Sequence, residues 1–329
     1  MATLTLACWD YDRARPVLDG SLQLEGFDLV CHAEPPGTLF PLAVNDAPFD
    51  ITELSFASYL IQTARGESQY IGLPIFLSRA FRHGAIYVHA DAQIKTPKDL
   101  EGRIVGVPEY GMTLAVWVRG ILADEFGVDV SQLKYRTGGL NHSGRVERLK
   151  LDIPSSIDVQ PLSPSLSLNE AILNRQLDAI IAPAPPRAFS EGDKRLVRLI
   201  DPAGPAERAY FKRTGIFPPM HILGLKKTVA AAHPALARAV YRLFEAARQI
   251  AMARVKAVAQ SSANRDMSPW YADAYEQAVA VMGADYWTYG VGHNLADLEA
   301  FCRYCHAQHL TSRQLSVREI FHPDFAESR

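Results

Sequence analysis

The sequence predicts an α/β protein of two lobes with a helical carboxyl-terminal tail. Three observations carry that expectation. Short apolar runs alternate with helical patterns through the first third of the 329 residues, two strand-to-helix junctions repeat one punctuation, and the pattern is helical from residue 233 onward. Residues 4–7 and 27–31 read as strands, 38–44 as a short helix and 50–54 as a third strand. Ser55 follows at an N-cap position, and Gly66 closes the helix that it opens. Two apolar runs, 70–77 and 85–89, read as buried strands. The second junction runs from a strand at 103–107 through Pro108-Glu109-Tyr110-Gly111-Met112-Thr113 into a helix at 114–126 that Gly127 ends.

Residues 129–165 are irregular, most loop-like at Thr137-Gly138-Gly139-Leu140-Asn141-His142-Ser143-Gly144-Arg145. Ser167 and Glu170 have the spacing of a capping box, and a strand at 178–182 leads into Pro183-Ala184-Pro185-Pro186-Arg187. A strand at 221–225 precedes a long helix over 233–258, and further helices complete the tail. Residues 95–102 read as a crossover into a second α/β unit, and Phe217-Pro218-Pro219-Met220 as the return. One lobe is then 1–90 with 221–329 and the other 91–220, with a cleft facing both helix starts and two crossings that permit hinge closure over a ligand. No internal repeat is visible.

Composition narrows the function classes. With 34 Lys plus Arg against 36 Asp plus Glu the formal charge is −2, so no global field recruits nucleic acid or an anionic membrane. No run approaches the roughly 18 apolar residues of a membrane span. The first ten residues lack a basic start followed by a long apolar stretch, which leads us to expect a cytoplasmic protein. The four cysteines are too few for a disulfide framework. Cys302-Arg303-Tyr304-Cys305-His306 matches a haem-attachment spacing, yet Leu295, Leu298, Phe301, Cys302, Cys305 and His309 recur at helical steps, so core packing is the expected role.

One stretch departs from ordinary composition. Ser78-Arg79-Ala80-Phe81-Arg82-His83 sets two arginines and a histidine between two strand-like runs. A desolvated guanidinium needs a carboxylate or phosphate, which its planar fork holds bidentately. The two helix starts, at Ser55 and Thr113, offer backbone N–H groups at the carboxyl edge of a sheet, where open α/β folds bind anions. An anionic small molecule is therefore the expected ligand.

Several segments together resemble the 4,5-dihydroxyphthalate decarboxylase family, which carries a type 2 periplasmic-binding-protein-like fold. They are Leu6-Ala7-Cys8-Trp9-Asp10-Tyr11-Asp12-Arg13, Glu53-Leu54-Ser55-Phe56-Ala57-Ser58-Tyr59-Leu60, Ser78 to His83, Gly106-Val107-Pro108-Glu109-Tyr110-Gly111-Met112-Thr113, Thr137-Gly138-Gly139 and Thr214-Gly215-Ile216-Phe217-Pro218-Pro219-Met220-His221. The sequence departs from the family pattern at Gly111, where Gln is expected, and at Asn141-His142, which replaces a more acidic stretch. The resemblance implies a carboxy-lyase that converts 4,5-dihydroxyphthalate, or a related dihydroxylated aromatic dicarboxylate, to protocatechuate or the corresponding monoacid. That chemistry requires no redox cofactor; a metal held by His83, His221, Glu53 and Asp10 is the mechanistic alternative, and no metal is expected because no recognised ligand spacing supports it.

That chemistry needs a cationic clamp, a base for the phenol and an acid near the ring carbon. Arg82 and Arg79 are the clamp candidates, helped by donors at Ser55, Ser58 and Thr113; strand alternation puts the two arginines on opposite faces and favours Arg82. His83 and His221 are the acid candidates. Glu53 and Glu109, at strand ends beside helix starts, are candidates for binding or deprotonating the catechol, with Asp10 a further one. Trp9, Tyr11, Phe56, Tyr110 and Phe217 are candidates for an aromatic slot, and Arg187 for a second carboxylate contact. The competing reading is a non-catalytic solute-binding protein for an aromatic carboxylate. The helical tail offers a surface for a homo-oligomer, or packs on its own lobe.

Overall fold

Two separate sheets organise the chain, and both have the same wiring. In the computed structural model, which describes residues 2–325, the strands are β1 (Ala2–Cys8), β2 (Phe27–Ala33), β3 (Ile51–Ser55), β4 (Tyr70–Arg79), β5 (Ile86–His89), β6 (Ile104–Val107), β7 (Lys134–Thr137), β8 (Val159–Pro161), β9 (Ala179–Ile181), β10 (Leu196–Arg198) and β11 (Pro219–Lys226). The first sheet has the order β2-β1-β3-β11-β4 and the second β10-β5-β9-β6-β7-β8. In the first, β1 lies parallel between β2 and β3, and β11 runs antiparallel to both β3 and β4. In the second, β6 lies parallel between β7 and β9, and β5 runs antiparallel to both β9 and β10. Each sheet thus inserts one antiparallel strand beside a parallel run, of three strands in the first and of four in the second, where β8 adds an edge beyond β7.

The chain divides into two compact units. One holds the residues through Arg79, Phe211–Glu299 and those from Ser316; the other holds Ala80–Tyr210 and Ala300–Leu315. In each sheet the inserted antiparallel strand is the first strand laid down after the chain changes unit: β5 after residue 79, β11 after residue 210. This division corrects the expected lobes. Residues 86–89 pair with β9 and β10 and so belong to the second sheet, not to a lobe ending at residue 90. Residues 95–102 are no crossover: Thr96 and Asp99 close a capping box around the 3-10 turn Pro97–Leu100. Phe217-Pro218-Pro219-Met220 leads into β11, seven residues past the return.

Each unit has its own apolar interior. In the first, Leu6, Ile51, Ile75, Leu77, Ile222 and Leu223 are buried between the strands and their helices. Helix Leu236–Ala259 buries Leu236, Val240, Leu243, Phe244, Ala247 and Ala251, a stripe at three- and four-residue steps. In the second, Leu168, Ile172, Leu177 and Ile180 form a buried cluster with Tyr87 and Leu196. No helix among the described residues is long and apolar enough to cross a membrane.

The tail is partly built into the second unit. Helix Leu295–Ala307 stacks Phe301 on Trp117, with ring centroids 5.1 Å apart, and lays Tyr304 across Gly120. A Cβ at Gly120 would lie 2.3 Å from that ring, so the close approach requires glycine. Gly120→Ala is expected to cost about 1–3 kcal/mol by overpacking, read as a lower midpoint in urea unfolding without a change of slope. Cys302 and Cys305 are buried and in no disulfide, which is the expected packing role, and His306 is exposed. Leu295 and His309, expected on the buried stripe, are exposed, Leu295 as the first residue of the helix and His309 because the helix stops at Ala307.

Candidate active site

The carboxyl edge of the first sheet gathers a set of hydrogen-bonded polar side chains. β1 and β3 run parallel and end at Cys8 and Ser55, and antiparallel β11 begins beside them. Alternation puts Glu53 and Ser55 on one face of β3, and the register sets His221 of β11 opposite Ser55 and, on its other side, Ser78 of β4. Trp9 and Tyr11 follow the end of β1.

Glu53 is fully buried, and its carboxylate is satisfied by the protein. The Trp9 N–H donates to Oε2 at 2.9 Å, the Tyr11 hydroxyl donates to Oε1 at 2.7 Å, and His221 Nδ1 lies 2.6 Å from Oε1. The carboxylate expected to bind or deprotonate the catechol is thus hydrogen-bonded within the protein and lies against the His221 ring. The ring of His221 is also met edge-on by Phe40 at 4.7 Å, and the Tyr11 hydroxyl stands 3.3 Å from Nδ1. These contacts orient the ring and engage Nδ1. Burial, and then the Glu53 carboxylate, push the Tyr11 phenol upward, so it remains a donor. Trp9 is 47% exposed and meets Tyr11 edge-to-face, so an indole face borders this set. Ser58 donates to Ser55 across the first turn of helix Phe56–Arg65.

Other candidates at this edge have structural roles. Arg79 is buried in a polar knot: Nη1 donates to the Phe217 carbonyl at 2.6 Å and to Asp297 at 2.9 Å, and Nη2 to the Thr288 carbonyl at 3.1 Å and to Asn294. With both terminal nitrogens committed to protein acceptors, it is not a substrate clamp. Burial lowers its proton affinity and pushes Asp297 up to about 6, each shift opposed by the partner. Asp10 is exposed and forms a two-point pair with Arg15 at 2.7 and 2.9 Å, a surface role rather than a catalytic one. Phe56 is buried in the core.

The second unit has its own charged cluster, at the carboxyl edge of β6. Glu109 is buried and ion-paired to Arg145 and to Arg148, whose Nη2 lies 3.0 Å away. The neighbouring Glu147 accepts from the backbone N–H groups of Tyr110 and Gly111. Glu109 is thus not free to act as a base, and Arg145, Glu147 and Arg148, none of them among the expected site residues, complete the cluster. Their signal was the charge run Arg145-Val146-Glu147-Arg148 inside a long stretch without regular structure, since such loops are commonly functional. Tyr110 is core rather than slot: its ring lies 3.9 Å from the Arg119 guanidinium and packs on Tyr135.

Burial, reinforced by Glu109, lifts the Glu147 carboxyl to about 7, against the pull of the Tyr110 N–H. The folded state therefore holds this proton more tightly than the unfolded chain. The associated stability is full below about pH 4.5 and is lost as pH rises towards 7. Between pH 5 and pH 7.5 the parent protein is expected to lose stability relative to Glu147→Gln, measured by urea unfolding of both.

Of the remaining candidates, His83 is buried just before β5 with its ring edge on Tyr210 at 5.1 Å. Half-buried Arg82 is pushed down to about 10 by burial, opposed by Glu207. Thr113 is the buried first residue of helix Thr113–Phe126, one place earlier than expected. Arg187 is exposed at the start of the short helix Arg187–Ser190, its N–H donated to Asn141, which places it on the surface rather than at a second carboxylate. Among the described residues, no group of three His, Cys, Asp or Glu side chains is arranged to hold a metal ion.

The two-sheet architecture is that of type 2 periplasmic-binding proteins. The aliphatic sulphonate binding protein SsuA from Escherichia coli superposes with a TM-score of 0.54 at 13% identity over 99% of each chain. A putative periplasmic sulfonate-binding protein from Methylobacillus flagellatus gives 0.55 at 13% identity, over 99% of this chain and 92% of its own. No family model matches. A 4,5-dihydroxyphthalate decarboxylase from Comamonas testosteroni is 37% identical over 325 residues, 99% of this chain and 98% of its own length. Another, from Pseudomonas putida, is 38% identical over 208 residues, 63% of this chain and 81% of its own. The chain belongs to the 4,5-dihydroxyphthalate decarboxylase family.

Proposed function

We propose that this chain removes one carboxylate from 4,5-dihydroxyphthalate to give protocatechuate, with His221 as the proton donor to the ring. The observation that carries this reading, beside the family, is the Glu53–His221 pair: a fully buried carboxylate holding Nδ1 at 2.6 Å and leaving Nε2 to act. Each hydroxyl of the substrate lies para to one carboxylate. Loss of a phenolic proton to solvent drives the ring electrons to the para carbon, which takes a proton from Nε2 of the imidazolium form of His221, leaving the neutral ring with its Nδ1–H on Glu53. The bond to the carboxylate then breaks, carbon dioxide leaves, and its electron pair restores the aromatic phenolate; solvent returns one proton to the imidazole and one to the phenolate. Imidazole suits this task because it exchanges protons near neutral pH.

Glu53 and Tyr11 are positioning residues, acting through the His221 ring. The exposed Trp9 face supports the substrate ring, and hydroxyl donors at Ser55 and Ser58 hold the carboxylate that remains. A substrate series tests the chemistry. 4,5-Dihydroxyphthalate and 4-hydroxyphthalate, each with a hydroxyl para to a carboxylate, are expected to lose carbon dioxide, and phthalate, without one, is expected to bind unchanged. Equal turnover of phthalate would remove the phenolate from the mechanism.

A further inference from the structure

The strand that carries Ser78 reaches His221 through a bulge. Leu73 of β4 stands opposite Leu223 of β11 and Ser78 opposite His221, so residues 74–77 face the single residue Ile222. Extra residues of this kind leave backbone groups outside the ladder, and bulges beside reacting groups re-aim a side chain. Here the carbonyls are taken up from outside the sheet. Pro74 accepts from the Gly290 N–H at 2.8 Å, Phe76 from the Trp287 indole N–H at 2.9 Å, and Leu77 from Arg13 Nε at 2.8 Å and from its Nη2.

Arg13 does more than close the bulge. Its guanidinium lies over the Tyr11 ring at 4.3 Å and over the Trp287 ring at 4.1 Å, while Nη1 pairs with Asp12 at 2.9 Å. A planar guanidinium stacks on aromatic faces and directs its N–H groups sideways at the same time, which an ammonium does not. The Tyr11 hydroxyl is the donor to Glu53 at 2.7 Å, stands 3.3 Å from His221 Nδ1 and also bonds the Ser78 hydroxyl. Arg13 thus grips two groups that frame the imidazole: the ring that carries the phenol and the strand that carries Ser78. With Asp12 and Trp287 it lines a cavity of about 130 Å³, and its side chain is 15% exposed, so the place it fills is reachable from solvent.

We propose that Arg13 is a positioning residue for His221, setting where the Tyr11 hydroxyl and Ser78 meet the His221–Glu53 pair. The inference rests on His221 as the proton donor. Arg13→Ala, folded as the parent by circular dichroism, is expected to lower kcat for 4,5-dihydroxyphthalate about 10–100-fold with KM little changed, the scale of a misplacement of about 1 Å. Arg13→Lys keeps the charge but not the planar fork, and is expected to fall as far. Ethylguanidinium, which replaces the missing atoms, is expected to restore part of the turnover of Arg13→Ala, and ethylammonium is not. A second readout is independent of turnover. In protein carrying isotopically labelled histidine, the ring nitrogen resonances of His221, identified by their loss in His221→Gln, are expected to move in Arg13→Ala and to return with ethylguanidinium. Trp287→Leu removes one stacking face and leaves Arg13 in place; it is expected to change both readouts in the same direction by less, and it carries the test if Arg13→Ala does not fold. Unmoved His221 resonances, a change confined to KM, full turnover by Arg13→Lys or rescue by ethylammonium overturns the proposal. A parent without turnover overturns the decarboxylase reading instead, and the resonances alone then decide whether Arg13 positions the ring.

Discussion

Replacing His221 with Gln is expected to lower turnover of 4,5-dihydroxyphthalate by about 10²–10⁴-fold, the usual contribution of a positioned acid, while its Kd changes only a few fold. The substitution keeps a polar side chain of similar reach against Glu53 and removes the titrating ring. His221 is only partly buried, so the fold survives, and stopped turnover with retained binding separates proton delivery from substrate capture. Glu53→Gln makes the same point one step back. The amide retains the contact with the Trp9 N–H but exchanges the negative charge against Nδ1 for a neutral dipole. It is expected to lower turnover less than His221→Gln does, with unfolding by urea reporting any structural loss separately.

Arg79→Met is expected to destabilise the protein by about 3–5 kcal/mol at pH 7. The guanidinium is the counter-charge of buried Asp297 and also satisfies the carbonyls of Phe217 and Thr288. Removing it leaves a carboxylate in an apolar interior. Asp297 already titrates at about 6 because burial outweighs the pull of Arg79. Its stabilising proton is lost as pH rises from about 4 through 6, and without Arg79 that loss extends to higher pH. The stability gap between parent and variant should therefore widen from pH 5 to pH 8 in urea unfolding. Adding Asp297→Asn is expected to recover part of it by removing the orphaned charge. A residue that clamps substrate would behave differently, raising KM with stability unchanged.

That contrast shows what the sequence could and could not convey. The arginine-rich segment Ser78 to His83 does mark something unusual, but the feature is the point where the chain leaves one sheet for the other, with Arg79 tied to the tail of its own unit. An Arg buried against protein and one awaiting a ligand look alike in sequence, because the partners Asn294 and Asp297 lie more than 200 positions away. The strands β1, β3, β4 and β6 were legible because apolar runs met clear helix starts. By contrast β7, Lys-Tyr-Arg-Thr, and β8, Val-Gln-Pro, sit inside the stretch read as irregular; neither is apolar enough to announce a strand, and parallel pairing with neighbours fixes them. Glu53 and His221 could be named as site residues from their positions at strand ends. That they bond to each other follows from β11 being inserted beside β3, which no local pattern encodes.

The most direct measurement incubates the purified chain with 4,5-dihydroxyphthalate at neutral pH and follows carbon dioxide and the ring product together. One carbon dioxide and one protocatechuate for each substrate consumed is the expected result. Saturable binding with neither product released would contradict it and make the chain a binder of aromatic carboxylates instead of a decarboxylase.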